Sequence, residues 1–158
     1  MPKSNQPASA GDRSPTGHSV ASSTPVSLLR EFYANLAQRD FNRAFALFSP
    51  QIEFLQIADL PWAGRFKGIV GVRKFFAQLT EHVYATPEPL TFLLAGDEVA
   101  VVARLRGIAR ATGKTIDQTV VHVWTLRAGK VIRAVAYVDA AAIKEALAVP
   151  VPGAPSPA

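Results

Sequence analysis

Thr115–Asp139, TIDQTVVHVWTLRAGKVIRAVAYVD, reads as two β-strands joined by a tight turn around Gly129. β-Branched and aromatic residues crowd both arms, as a strand surface requires. His122 and Trp124 stand in an otherwise apolar run, and the register of the hairpin decides what they face. A two-residue turn at Ala128-Gly129 would place Ala128 at positive φ, which costs about 1–2 kcal/mol. A type I turn with Gly129 alone in the left-handed region avoids that cost. It pairs Leu126 with Lys130, Trp124 with Ile132, His122 with Ala134 and Val120 with Ala136. His122 and Trp124 then share a face with Ile132, Ala134, Ala136 and Val138, while Arg133, Tyr137 and Asp139 take the other. Large residues opposite small ones leave space, and space beside one titratable group is the composition of a small-molecule site. His122 fits a second reading equally: a core histidine hydrogen-bonded to a backbone carbonyl.

Upstream of the hairpin, Thr24-Pro25 supplies a hydroxyl N-cap followed by Pro where its missing N–H costs nothing. Val26, Leu29, Phe32, Tyr33 and Leu36 then recur at helical spacing. Asp40 caps a second, short helix through Phe41, Ala44, Phe45 and Phe48, which Ser49-Pro50 ends. Gln51–Ile57 reads as a strand with Ile52, Phe54 and Gln56 on one side and Glu53, Leu55 and Ile57 on the other. Glu53 is therefore expected outside, in an ion pair with an Arg. A loop carrying Trp62 leads to a third helix over about Ile69–Tyr84, with His82 at the edge of its buried face, and Pro87 and Pro89 end it. Leu90–Ala95 and Val99–Ala109 are further strands, and Asp139 caps a last helix through Ile143 and Leu147.

Helices followed by a run of antiparallel strands predict an α+β fold: a curved antiparallel sheet with the N-terminal helices packed on its concave face. Val99–Ala103 and Val120–Trp124 are apolar at nearly every position rather than at every second one. Both faces of those strands are expected to be covered, one by helices and the other by a second copy of the chain. Residues 1–23 and 150–158 are rich in Ser, Pro, Ala and Gly and are expected to be disordered tails around one domain, 24–149.

At 158 residues the chain is long enough for one domain with a real core. An apolar share of 49% against 18% charged residues places it among globular proteins. Without cysteine there is no thiolate chemistry and no Cys-based zinc site, and with three histidines, His18, His82 and His122, a His-rich metal centre is not expected. No apolar run reaches the ~20 residues of a membrane helix. No apolar leader precedes a cleavage site, so the chain is expected to be cytoplasmic. The net charge of +5 is spread along the sequence. Its densest group, Arg104, Arg106, Arg110 and Lys114, has no interleaved aromatic residues, which argues against nucleic acid as a partner. No phosphate loop or metal-ligand spacing occurs, so no cofactor or metal is expected.

Four segments, YANLAQRDFNRAFALFSPQIEF, WAGRFKGIVGVRKFFAQL, ATGK and HVWTLRAGKVIRAVAYVD, together resemble the SnoaL-like branch of the nuclear transport factor 2-like superfamily. The resemblance spans Val26–Leu147 in order. That superfamily includes ketosteroid isomerases, polyketide cyclases, limonene-epoxide hydrolases and scytalone dehydratases. It implies a cone of curved sheet with helices closing its mouth, and a sheet-to-sheet dimer. Ketosteroid isomerases place a Tyr on the first helix, an Asp base at the end of the first strand and a protonated Asp on the penultimate strand. The corresponding places here are read as Phe32, Gln56 and His122, leaving no carboxylate base and no Tyr donor. Limonene-epoxide hydrolase positions fall on Ala103, Leu105 and Ala136, and the acid of the cyclases also falls on Ala136. The paired His of scytalone dehydratases is matched in part by His82 and His122.

Two functions remain open on this reading. One is an isomerase, cyclase or dehydratase using His122 as general acid/base on an apolar, oxygen-bearing substrate, since an unperturbed imidazole titrates near ~6.5. The other is a non-catalytic, dimeric binding module in which His122 is a hydrogen-bonding wall residue. In either case the expected ligand-binding residues are Phe32, Phe54, Gln56, Trp62, Phe76, His82, Trp124 and Ala136. The expected partners are a small apolar molecule and a second copy of the chain. Burial of His122 with no carboxylate beside it is expected to lower its pKa.

Overall fold

The computed structural model describes residues 24–153. The expectation for residues 1–23 and most of the expected C-terminal tail lie outside them, while residues 150–153 carry neither helix nor strand and are exposed. The elements run α1 (Pro25–Ala37), α2 (Phe41–Ala46), β1 (Phe48–Gln56), β2 (Gly64–Lys67), α3 (Gly68–His82), β3 (Val83–Ala95), β4 (Glu98–Ala109), β5 (Thr115–Arg127), β6 (Lys130–Tyr137) and α4 (Ala140–Leu147). The caps are those the side chains predict. Thr24 accepts from Ser27 N, Asp40 from Arg43 N and Asp139 from Ala142 N, each at 3.1 Å.

The six strands form one curved, unclosed sheet in the order β2-β1-β6-β5-β4-β3, and the helices give the α+β cone. Four strand pairs are antiparallel; β1 and β6 run parallel. The parallel pair is possible because β2, α3 and three strands separate β1 from β6 along the chain, ample length for a crossover. Strand β3 begins at Val83, immediately after α3, and runs through Pro87 and Pro89 rather than starting at Leu90. It is an edge strand, where a missing N–H removes no bond to a further neighbour, and the register shifts between Pro89 and Thr91. Gly107 lets β4 pass close to β3: a Cβ there would lie 2.0 Å from the Tyr84 carbonyl oxygen.

The β5–β6 turn differs from the expected one. Ala128 (φ 50°) and Gly129 (φ 73°) are both left-handed, so the turn has two residues and pairs Arg127 with Lys130 and Leu126 with Val131. Left uncorrected, that register would put Trp124 and His122 opposite Arg133 and Val135. A bulge between Val131 and Arg133 adds one residue, and the observed pairs are Trp124 with Ala134 and His122 with Ala136. The partners are thus displaced by two from the expected ones, and a displacement of two leaves every side chain on its expected face.

The core lies between the inner sheet face and α1, α2 and α3. Leu29, Phe32, Ile52, Val72, Trp124 and Val131 are among its fully buried members. Tyr33 is buried with them at 2% exposure. Helix α4 folds back over the β4–β5 end. Thr112 donates to the Ala146 carbonyl at 2.6 Å, Lys114 Nζ donates to the carbonyls of Glu145 and Ala148, and Ile143 turns inward.

Candidate functional site: a cavity over Ala134 and Ala136

The strand registers place two parallel rows of side chains on the inner face. One row runs Gln56–Ala136–His122 across β1, β6 and β5; the other runs Phe54–Ala134–Trp124. Neighbouring strands lie about 4.8 Å apart, so each row sets two large side chains about 10 Å apart with a single methyl between them. A cavity of about 90 Å³ occupies that space. Phe32 borders it from α1, Phe76 from α3, Trp62 from the β1–β2 loop and Ile143 from α4. Among the described residues the wall is apolar apart from Arg39, Gln56, Thr80, His122 and the indole N–H groups of Trp62 and Trp124, and no Asp or Glu lines it.

His122 stands between the cavity and a buried hydrogen-bond chain. The Tyr33 hydroxyl lies 2.6 Å from His122 Nδ1, and Trp124 Nε1–H donates to the same hydroxyl at 3.1 Å. An indole N–H only donates, which leaves the Tyr33 proton available to His122 Nδ1. The Tyr33 and His122 ring planes lie within 6° of each other. With Nδ1 accepting, the neutral ring carries its proton on Nε2. That Nε2–H has no protein acceptor among the described residues, and His122 lines the cavity. Burial lowers the His122 pKa to about 4 and raises that of Tyr33. Both groups are neutral at pH 7, and the lowering matches the expectation for His122.

Three further side-chain nitrogens are closed off by the protein without a partner: Gln56 Nε2, Arg39 Nη2 and Asn35 Nδ2, the last away from the cavity. Gln56 is 3% exposed. Arg39 occupies the turn between α1 and α2 at φ 58°, with its guanidinium 4.1 Å over the Tyr84 ring. Both line the cavity.

The structure brings together His122, Phe32, Phe54, Gln56, Trp62, Phe76, Trp124 and Ala136 around one space. His82 is a correction. It lies behind Trp62, ring centroids 5.7 Å apart, and does not border the cavity, because α3 ends at that residue and turns its ring onto the β1–β2 loop. Tyr33, one residue beyond Phe32, reaches His122 from α1 without itself bordering the cavity. The signal for it lay in the residue type. A Tyr among Leu and Phe on a core-facing stripe needs a partner for its hydroxyl, and His122 and Trp124 stand two apart on one strand face. Arg39 was missed because the end of a helix is ordinarily solvent. Outside, Glu53 meets Arg65 at 3.5 Å and Arg133 at 4.0 Å, as expected.

The model of the SnoaL-like domain family matches residues 29–134. No functionally curated protein matches the sequence. Among solved structures, a nuclear transport factor 2-like protein from Burkholderia thailandensis is 29% identical. That match covers 80% of this chain and 98% of the other, with a TM-score of 0.75. The protein TerC, crystallised with polyporic acid, is 24% identical over 77% of this chain and 96% of its own, with a TM-score of 0.72. A protein of ketosteroid isomerase-like fold from Catenulispora acidiphila, in complex with trimethylamine, is 13% identical over 84% and 100%, with a TM-score of 0.69. With two thirds of its length matched by the family model and the cone fold common to these structures, the chain belongs to the SnoaL-like domain family within the nuclear transport factor 2-like fold.

Proposed function

We propose that the protein binds an apolar, oxygen-bearing small molecule in the cavity over Ala134 and Ala136, with His122 Nε2–H donating to a ligand oxygen. The observation that carries this reading is the chain from Trp124 through Tyr33 to His122 Nδ1, which supports a ring whose other nitrogen, Nε2, is left for a ligand. Phe32, Phe54, Trp62, Phe76 and Trp124 enclose the ring of such a ligand, and Ala136 leaves room for it. The Nδ1 lone pair is occupied by Tyr33, so His122 acts as a donor and not as a general base. Such a donor would also stabilise a developing enolate oxygen, the step common to isomerase, cyclase and dehydratase chemistry on carbonyl compounds. No carboxylate lines the cavity to receive a carbon-bound proton, so binding without turnover is the primary reading and catalysis the second.

Both tryptophans of the chain, Trp62 and Trp124, line the cavity, so their emission reports its occupancy. Titration with acetophenone should quench that emission, and His122→Ala should weaken the binding. Nitrogen-15 NMR should show Nε2 protonated and Nδ1 unprotonated at pH 7. A protonated Nδ1, or acetophenone binding indifferent to His122, would refute the proposal.

We also propose that a second copy packs on the outer sheet face. In the single chain Tyr137 is 48% exposed there and Val121 and Val123 are only half-buried, on strands apolar at almost every position. Sedimentation at micromolar concentration should give a dimer; a monomer counts against this packing. Arg104 and Arg106 both pair with Asp117, which supports a solvated basic surface over a nucleic-acid site.

A further inference from the structure

The cavity wall is one-sided in its charge. Of the side chains that line it among the described residues, His122 and Gln56 are polar and neutral, Arg39 is cationic, and none is anionic. Thr80, the remaining hydroxyl, is turned back onto the Phe76 carbonyl at 2.8 Å. Among the described residues Arg39 takes part in no ion pair, whereas every ion pair present lies elsewhere. Its only close partner is the face of Tyr84, which orients the guanidinium without supplying an acceptor. Arg39 is half-buried, and the part of its guanidinium that remains accessible has no counter-charge beside it.

The backbone at Arg39 points the same way. Its φ of 58° is at the position after a helix end where glycine is the usual residue, and its N–H donates to the Leu36 carbonyl at 3.0 Å. A long charged side chain has been placed where the backbone favours none. Such outliers persist where the surroundings over-determine them, and they concentrate at binding sites.

Resting on the proposed binding role of this cavity, we infer that its ligand is an organic anion: a ring-bearing carboxylate whose charge is held by Arg39 while its ring occupies the space over Ala134 and Ala136. The planar guanidinium matches a carboxylate in geometry as well as charge. His122 Nε2–H supplies a donor for a remaining oxygen. The cavity, about 90 Å³ and open at one side, limits the probes to a single small ring.

Benzoate and benzamide have the same shape and heavy-atom count, and at pH 7 only benzoate is charged. Tryptophan emission of the full chain should report benzoate binding at least about tenfold tighter than benzamide, a preference that shrinks with added salt. Arg39→Gln should abolish the preference by weakening benzoate while leaving benzamide within about twofold, and Arg39→Lys should keep part of it. His122→Ala should weaken both probes alike. Equal binding of the two probes by the wild-type protein overturns the inference and leaves the cavity reading standing, as does an undiminished preference in Arg39→Gln. Failure of benzoate, benzamide and acetophenone alike to bind overturns both. The wild-type comparison needs no variant, so a folding defect in Arg39→Gln cannot obscure the outcome.

Discussion

The two faces of the sheet treat polar groups in opposite ways. On the outer face charge is paired: Glu53 lies against Arg65 and Arg133, and Asp117 accepts from Arg104 Nε at 2.5 Å and Nη2 at 2.9 Å. On the inner face His122, Gln56 and Arg39 each present a polar end that no neighbour takes. Paired surface charges are solvated in any case and specify little. Unpartnered polar groups inside an apolar wall carry a desolvation penalty, and they mark where a ligand completes the structure.

The contrast is broken most easily at the inner wall. Trp124 is 2% exposed, packs on Phe32 at 4.8 Å between ring centroids, and donates to Tyr33. Trp124→Ala should cost about 3–5 kcal/mol in urea unfolding, since it removes a core aromatic and orphans the relay. A loss below about 1.5 kcal/mol would mean that the inner face is loosely packed.

Acid comes next. The folded pKa of His122 is about 4 against about 6.5 in the unfolded chain, so the unfolded state binds the proton more tightly. Stability from this group is fully present above pH 6.5, falls as pH drops through that value, and is lost below pH 4. The full amplitude is on the order of 3 kcal/mol. His122→Gln should flatten the profile between pH 6.5 and 4; an unchanged slope there would place the titration on other groups.

Tyr33→Phe should cost about 1–3 kcal/mol, because it leaves Trp124 Nε1–H and His122 Nδ1 without their partner while keeping the ring. It should also release the tautomer of His122, visible in its nitrogen shifts. Retention of the Nε2–H form in that variant would show that something other than Tyr33 fixes the proton. At the small end, Glu53→Gln on the outer face should change stability by no more than about 1 kcal/mol. A larger loss would make the outer pairing structural, and the distinction between the faces would fail.

Much of this was legible in the residues. Alternation in Gln51–Ile57 placed Ile52, Phe54 and Gln56 inside, and all three are buried. The hairpin gave the correct face for His122 and Trp124 although its turn was misread, because bulge and two-residue turn together displace the partners by an even number. Strand β3 was shortened in the sequence reading because Pro87 and Pro89 forbid a central strand. Its place at the sheet edge, which makes them acceptable, is set by strands far away in the chain.

The sequence by itself determined the direction of side chains relative to their own elements, the helix caps and the family. Periods of 2 and 3.6, and a hydroxyl or carboxylate three residues before an N–H, are local matters. What each inward side chain meets was decided by tertiary structure alone. Tyr33 and His122 are 89 residues apart, Gln56 and His122 are joined only through the Ala136 row, and Arg39 reaches the cavity from a helix end. Contact across such separations depends on how whole elements pack, and helix α1 presents the same buried stripe whichever strand lies beneath it. The contact between Tyr33 and His122 Nδ1 follows from that packing.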